Sequence, residues 1–146
     1  MHPDLKPGLT FTWSAIVPDR ATVPNLYHDV DFCREMPDVL ATGYMVGLME
    51  LACLQGIIPY LDWPREQSLG TMVSFNHLAA TPPGMTLTMK GEVTGVDGRR
   101  ISFRVEGWDE QDKITEGTHE RVVITPDKFN AKLATKIAAA GSRSQA

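Results

Sequence analysis

A long apolar segment in the first half of the chain constrains the fold more than any other part of the sequence. From about residue 44 to residue 61, apolar side chains point to nearly every face of a helix, and Asp62-Trp63-Pro64 ends the segment. The segment is too long for a strand, and its lack of a polar face is typical of a buried helix. Such a helix needs other parts of the chain to cover it on most sides.

The rest of the chain supplies the material for that cover. Strand-like alternation occurs in five segments, near residues 9–17, 71–80, 85–96, 99–109 and 114–124. Asp97-Gly98 between two of these segments predicts a tight hairpin. Residues 21–38 are a candidate flap bracketed by prolines, and residues 126–140 predict a closing amphipathic helix. The predicted fold is α+β, with an antiparallel sheet wrapped around a long central helix, as in the hot-dog fold.

The composition fits one domain that spans residues 1–146. The chain is 42% hydrophobic, has a formal charge of -4 and shows no shift in composition along its length. Its basic residues are scattered, which argues against nucleic acid or an anionic membrane as a partner. The start lacks the apolar core of a signal peptide, and no run approaches the roughly 20 apolar residues of a membrane span, so we expect a cytoplasmic protein. Cys33 and Cys53 lack a CxxC spacing and are expected to be reduced, and nothing suggests structural zinc.

The central helix carries a single acid, Glu50, among apolar residues. A carboxylate removed from water costs several kcal/mol unless it is paired, so Glu50 is expected to have a partner, keep a proton or take part in chemistry. The alternating segment that ends at His77 places that imidazole on the same face as Val73 and Phe75. His77 is therefore a candidate partner and a candidate base that points inward.

Five ordered segments of the chain resemble fluoroacetyl-CoA thioesterases. They read ATGYMVGLME (41–50), SLGT (68–71), HLAATPPGM (77–85), DGRR (97–100) and GTHER (117–121). The likeness extends from about residue 9 to residue 132 and implies a hot-dog homodimer that hydrolyses a short acyl-CoA without a metal or redox cofactor. The resemblance also implies that Thr42, Glu50 and His77 are catalytic, and that Gly70 and Arg121 contact the substrate.

Thioester hydrolysis gives each of these residues a chemical role. Glu50 is either a nucleophile or a base for water, and His77 is the natural proton carrier. The backbone N–H of Gly70 is a candidate oxyanion donor. An unbroken helix would separate Thr42 from Glu50 by about 12 Å and roughly 80°. Either the helix begins after Gly43, or Thr42 acts across a dimer interface.

Each residue also has an ordinary structural interpretation. Glu50 alone suits a buried structural acid, His77 a core histidine, Thr42 a helix cap and Gly70 a turn. Arg121 alone suits a solvated charge or a surface ion pair of little energetic worth. Three other residues of the matched segments are open in the same way. His119 is expected only to pack, and the hairpin arginines Arg99 and Arg100 either contact CoA phosphates or simply face solvent.

Two other functions compete with hydrolysis, and the acyl group is open. A hot-dog hydratase that acts on an enoyl-CoA uses an Asp and a His, but no acid follows His77 at the expected place. A non-catalytic acyl-CoA-binding dimer is the second alternative. The thioesterase that the chain resembles has an aromatic residue where this chain has Met36, and a flexible thioether is expected to close a small acyl pocket less tightly.

Overall fold

The computed structural model describes residues 1–144, which form one antiparallel sheet and three α-helices. The strands are β1 (Thr10–Ile16), β2 (Gln67–Phe75), β3 (Thr86–Asp97), β4 (Arg100–Trp108) and β5 (Lys113–Ile124). They pair in the order β1-β3-β4-β5-β2, and every pair is antiparallel. The predicted α+β arrangement is confirmed, and the Asp97-Gly98 hairpin lies between β3 and β4 with Gly98 at φ 58°.

The central helix is α2, which runs from Thr42 to Ile57 and continues as a 3-10 turn over Ile58–Tyr60. Its buried residues are Met45, Leu48, Met49, Ala52, Cys53 and Ile57. They pack with buried sheet residues that include Leu87, Met89, Val93, Ile101, Phe103 and Val105. Full burial of each large apolar side chain contributes about 1.5–3 kcal/mol. The helix begins two residues earlier than predicted. Its regular part ends before Pro59, whose ring cannot continue an α-helix.

Small residues let the helix and the sheet approach one aromatic side chain. A Cβ at Gly56 of α2 would lie 2.5 Å from the Phe11 ring, and a Cβ at Gly91 of β3 would overlap the same ring. Gly91 is the cross-strand partner of Phe11, and Phe11 also meets Phe103 edge to face. These two glycines therefore make room for the ring that joins β1 to the helix.

Strand β2 differs from its prediction. It covers Gln67–Phe75 rather than residues 71–80, so His77 lies just beyond the strand and not on it. After the strand, the Leu78 N–H still donates to the Ile114 carbonyl, but the regular ladder has ended. The register between β2 and β5 also shifts between Gly70 and Met72, which marks a β-bulge. Alternation alone cannot show either the bulge or the end of the ladder.

The flap and the last helix complete the described chain. The flap contains α1 (Val23–Leu26) and a 3-10 turn at Asp31–Glu35, and a hydrogen bond from the Ala41 N–H to the Ala21 carbonyl closes its base. Helix α3 begins at Pro126, as predicted, and continues past residue 140 to Ser144. Within residues 1–144, no helix combines the length and apolar character that crossing a membrane requires.

Candidate active site

Thr42 and His77 form a direct hydrogen bond. Thr42 is the first residue of α2, and its Oγ1 lies 2.8 Å from His77 Nδ1. The cap position belongs to Ala41, so the interpretation of Thr42 as a helix cap is wrong. Burial lowers the pKa of His77 from its ordinary value of 6.5, which favours the neutral ring. Its Nε2 is buried and has no hydrogen-bond partner among the described residues.

Glu50 pairs with Arg121 rather than with His77. Its Oε1 lies 3.8 Å from Arg121 Nη1, and its side chain is 39% exposed rather than sequestered. The Arg121 residue, by contrast, is only 5% exposed, so the interpretation of Arg121 as a solvated charge is wrong. A buried guanidinium next to a half-exposed carboxylate gives the acid a fixed positive neighbour on one side and access from solvent on the other.

Arg121 is held by bonds to two residues besides Glu50. Its Nε donates to Ser68 Oγ at 2.8 Å, and its Nη2 donates to the Ser68 carbonyl at 2.8 Å. Its Nη1 donates to His119 Nε2 at 3.2 Å. Burial lowers the pKa of Arg121, although the guanidinium stays charged. Because three nitrogens are anchored, the guanidinium plane has one orientation, and that orientation directs Nη1 toward Glu50.

His119 is a neighbour of Arg121 for which the sequence interpretation expected packing alone. The ring is fully buried, stacks on Phe103, and places Nδ1 2.6 Å from the Met72 carbonyl. A carbonyl only accepts, so Nδ1 carries the proton and Nε2 offers its lone pair to Arg121. Burial is the largest cause of the lowered pKa of His119, and the Arg121 charge acts in the same direction. The imidazole is thus neutral and accepts a hydrogen bond from Arg121. The available sequence signal for this contact was the alternation of β5, which places His119 and Arg121 on the same face of the strand.

Two substitutions at His119 separate its two hydrogen bonds. Asparagine reaches the position of Nδ1 and keeps a donor for the Met72 carbonyl, whereas glutamine extends to the position of Nε2 and keeps an acceptor for Arg121. We expect His119→Asn to lower the free energy of unfolding by about 1–3 kcal/mol more than His119→Gln, because it leaves a buried guanidinium N–H without a partner. Urea unfolding measures the difference, and equal stabilities would contradict this role.

Gly70 lets the carboxylate of Glu50 approach the sheet. It is the cross-strand partner of Arg121, next to the bulge of β2. A Cβ at this position would overlap Glu50 Oε1 and lie 3.2 Å from the His119 ring. The interpretation of Gly70 as a turn residue is therefore wrong, because it lies within a strand and its missing side chain is what admits the acid. Its N–H as an oxyanion donor stays a prediction.

The predicted site residues form two groups in one protomer. We call Thr42 and His77 the hydroxyl pair, and Glu50, Gly70, His119 and Arg121 the carboxylate cluster. No hydrogen bond joins the two groups within residues 1–144. Helix α2 is unbroken from Thr42 to Glu50, so the alternative in which it begins after Gly43 is wrong. The described residues also contain no group of three or more His, Cys, Asp or Glu side chains able to hold a metal ion.

Comparison with known proteins identifies the family. A sequence model described as fluoroacetyl-CoA-specific thioesterase matches residues 25–127, which is well over half of the chain. The chain belongs to this family. The fluoroacetyl-CoA thioesterase of Streptantibioticus cattleyicolor is 48% identical over 136 residues, which cover 93% of the chain and 97% of that protein. The carboxylate cluster and the hydroxyl pair therefore lie in a member of the fluoroacetyl-CoA-specific thioesterase family.

Solved structures support the same assignment. A threonine-to-serine variant of fluoroacetyl-CoA thioesterase in complex with acetyl-CoA is 49% identical, with a TM-score of 0.85 over 90% of this chain and 98% of that one. A thioesterase superfamily member from Thermus thermophilus is 28% identical, with a TM-score of 0.83 over 97% of this chain and 99% of that one. The expected hot-dog fold and the expected class, thioester hydrolase, are confirmed.

Proposed function

We propose that this fluoroacetyl-CoA-specific thioesterase family member hydrolyses short acyl-CoA substrates, with fluoroacetyl-CoA the leading candidate, to the free acid and CoA. Thr42, Glu50 and His77 are the proposed catalytic residues, and Gly70 and Arg121 the proposed substrate-binding residues. The observation that carries the proposal is the position of Glu50. Its carboxylate is half-exposed, lies against the backbone at Gly70 and faces an anchored guanidinium 3.8 Å away.

The proposed roles follow from the charge and burial of each group. Glu50 attacks the thioester carbonyl or deprotonates water, and both routes use the ionised carboxylate. The Gly70 N–H and Arg121 are donors for the oxyanion that develops. His77 carries the proton to the CoA thiolate, and burial lowers the pKa of its ring, which favours the neutral form that first accepts the proton. Thr42 fixes the orientation of that ring through the bond to Nδ1.

We propose a homodimer that brings the hydroxyl pair of one protomer to the carboxylate cluster of its partner. Strand β2 is at the edge of the sheet and exposes the apolar side chains of Leu69, Met72 and Val73. An exposed apolar edge strand is a template for pairing with a second copy. Because Thr42 and Glu50 lie about 12 Å apart on a straight helix, one small acyl group cannot contact both within a protomer. A two-fold axis across β2 would give two equivalent composite sites.

The remaining expectations about partners are also proposals. No metal or redox cofactor is required, because the proposed chemistry uses only side chains, backbone N–H groups and water. A cytoplasmic location is supported by two free cysteines, Cys33 and Cys53. The proposal includes neither nucleic acid nor a membrane as a partner, in keeping with the net charge of -4.

A substrate panel tests the proposed function. Purified protein is incubated with acetyl-, fluoroacetyl-, propionyl- and crotonyl-CoA, while free thiol and enoyl absorbance are followed. Thiol release from the two-carbon substrates supports the proposal. Loss of enoyl absorbance without thiol would instead identify a hydratase, and saturable binding without either change would identify an acyl-CoA-binding protein.

Met36 is predicted to set how sharply the smallest acyl groups are selected. Its side chain is exposed on the flap, together with those of Tyr27 and Phe32. We expect Met36→Phe to raise the preference for fluoroacetyl-CoA over propionyl-CoA, because a rigid ring excludes an extra methylene better than a flexible thioether. The ratio of kcat/KM for the two substrates measures the preference. An unchanged ratio would show that residue 36 does not close the acyl pocket.

A further inference from the structure

Several basic residues of the sheet form salt bridges with acids, whereas three cations near the end of β5 do not. Arg100 pairs with Glu120 at 3.1 Å, and Arg104 pairs with Glu92 at 2.9 Å. Lys113 likewise contacts two glutamates. Arg99, Lys128 and Lys132 form no salt bridge within residues 1–144, and the same holds for Lys6, Arg20, Lys90 and Lys136.

Arg99, Lys128 and Lys132 line one cavity of about 310 Å³ at the junction of β5 and α3. The other lining residues are Ile124, Thr125 and Phe129, and the Phe129 side chain is exposed. No acid lines this cavity, which we call the basic pocket. Asp127 lies next to Lys128 in the sequence but is not part of the lining. Glu66 is near enough for Arg99 to affect its pKa, but that pKa is lowered chiefly by its hydrogen bond to the N-terminal amine.

We propose that the basic pocket binds the 3′-phosphoadenosine diphosphate end of the acyl-CoA substrate. This inference rests on the proposed function. The ligand end carries several phosphate charges and one purine ring. Arg99, Lys128 and Lys132 supply charged donors for the phosphates, and the exposed face of Phe129 supplies a stacking surface for the purine. The cavity thus combines the two kinds of contact that a nucleotide phosphate requires.

The position of the pocket relative to the carboxylate cluster fits a substrate with two distant ends. Ile124 follows Arg121 by three residues on β5, a distance of about 10 Å along the strand. Arg99 is fixed at this end of the sheet, because its carbonyl accepts from the Val123 N–H at 2.8 Å and its Nη1 donates to the Val123 carbonyl at 3.2 Å. The pantetheine arm separates the thioester from the nucleotide, so the nucleotide site must lie outside the catalytic cluster but near it.

The structure also distinguishes the two hairpin arginines. Arg100 is paired with Glu120, a residue of β5 that lies beside Arg121 in the sequence. Arg99 makes one side-chain bond, from Nη1 to a backbone carbonyl, and lines the basic pocket. The proposal therefore assigns phosphate contact to Arg99 and not to Arg100.

Substrates with and without the nucleotide test this proposal. Acetyl-CoA and acetyl-pantetheine share the thioester and the pantetheine arm, but only acetyl-CoA has the phosphates and the purine. We expect the double substitution Lys128→Glu and Lys132→Glu to lower the ratio of kcat/KM for acetyl-CoA to that for acetyl-pantetheine by about tenfold, through the KM for acetyl-CoA. The matched control is Lys136→Glu, on the same helix but outside the pocket lining, which should leave the ratio unchanged.

Each outcome bears on the proposal. A fall in the ratio confined to the double variant, with a helical circular-dichroism spectrum like that of the wild type, supports it. An unchanged ratio, or an equal fall in the Lys136→Glu control, overturns it. A wild-type protein that releases no thiol from these two substrates or from fluoroacetyl-CoA contradicts the proposed function instead, so the two failures are distinct. Phe129→Leu provides a second measurement without a change of charge, and it should also raise the KM for acetyl-CoA and not that for acetyl-pantetheine.

Discussion

Replacing Glu50 with glutamine is expected to lower kcat/KM for acetyl-CoA by about 10²–10⁴-fold, the range typical of a lost general base. The amide has nearly the shape of the carboxylate, so it fits beside Gly70, but it neither removes a proton from water nor attacks a carbonyl. Thiol release under steady-state conditions measures the effect. A loss larger than this range would favour covalent attack by Glu50 over base catalysis.

Stability must be measured in parallel, because the substitution also removes the counter-charge of Arg121. Glu50 is 39% exposed and its oxygen lies 3.8 Å from Nη1, so losing the pair should cost about 1 kcal/mol or less. Glu120→Gln is the matched control, since it removes a carboxylate paired with Arg100 from the same strand as Arg121. Near-normal turnover by Glu50→Gln, or an equal loss in Glu120→Gln, would refute the catalytic assignment of Glu50.

The central helix was predictable because its signal is local. An apolar segment too long for a strand and lacking a polar face has few alternatives to a buried helix. Its start was less predictable, since Thr42 is helical from the first turn and its hydroxyl bonds to His77, a residue 35 positions away. Helix boundaries depend on such distant contacts as well as on local propensity.

The surroundings of Arg121 could not be predicted from the pattern of β5 alone. Alternation correctly places His119 and Arg121 on one face of the strand, but it does not say that this face is buried. Burial of a guanidinium is tolerated here because Ser68, on a different strand, accepts two of its hydrogen bonds. That pairing spans 53 positions and depends on the register of β2 with β5, which shifts at a bulge.

The resemblance to a known family identified the candidate residues but not their arrangement. Glu50 and His77 were expected to meet, because alternation was extended through His77 on the same strand as Phe75. The strand ends at Phe75, and His77 turns instead to Thr42 at the start of the helix. The spacing of Thr42 and Glu50 on an unbroken helix then makes a second protomer the simplest way to complete the site.

Mixed dimers test whether each site is shared between two protomers. One chain carries Glu50→Gln, the other carries His77→Ala, and different affinity tags allow the heterodimer to be purified. In a shared arrangement, one of its two sites receives both changes and the other receives none. We therefore expect this heterodimer to regain about half of the wild-type activity, whereas each homodimeric variant stays inactive. If each protomer holds a whole site, both sites are defective and the heterodimer stays inactive as well.

The reciprocal heterodimer provides the control, because the two arrangements predict opposite results for it. One chain carries both Glu50→Gln and His77→Ala, and the other chain is wild type. In the shared arrangement each site receives one substitution, so the heterodimer should be nearly inactive. If each protomer holds a whole site, the wild-type protomer works alone and about half of the activity remains. Exchange of subunits must be slow during the assay, and size-exclusion chromatography of the tagged pair before and after turnover establishes this. Activity in the reciprocal pair combined with inactivity in the first pair would overturn the shared site.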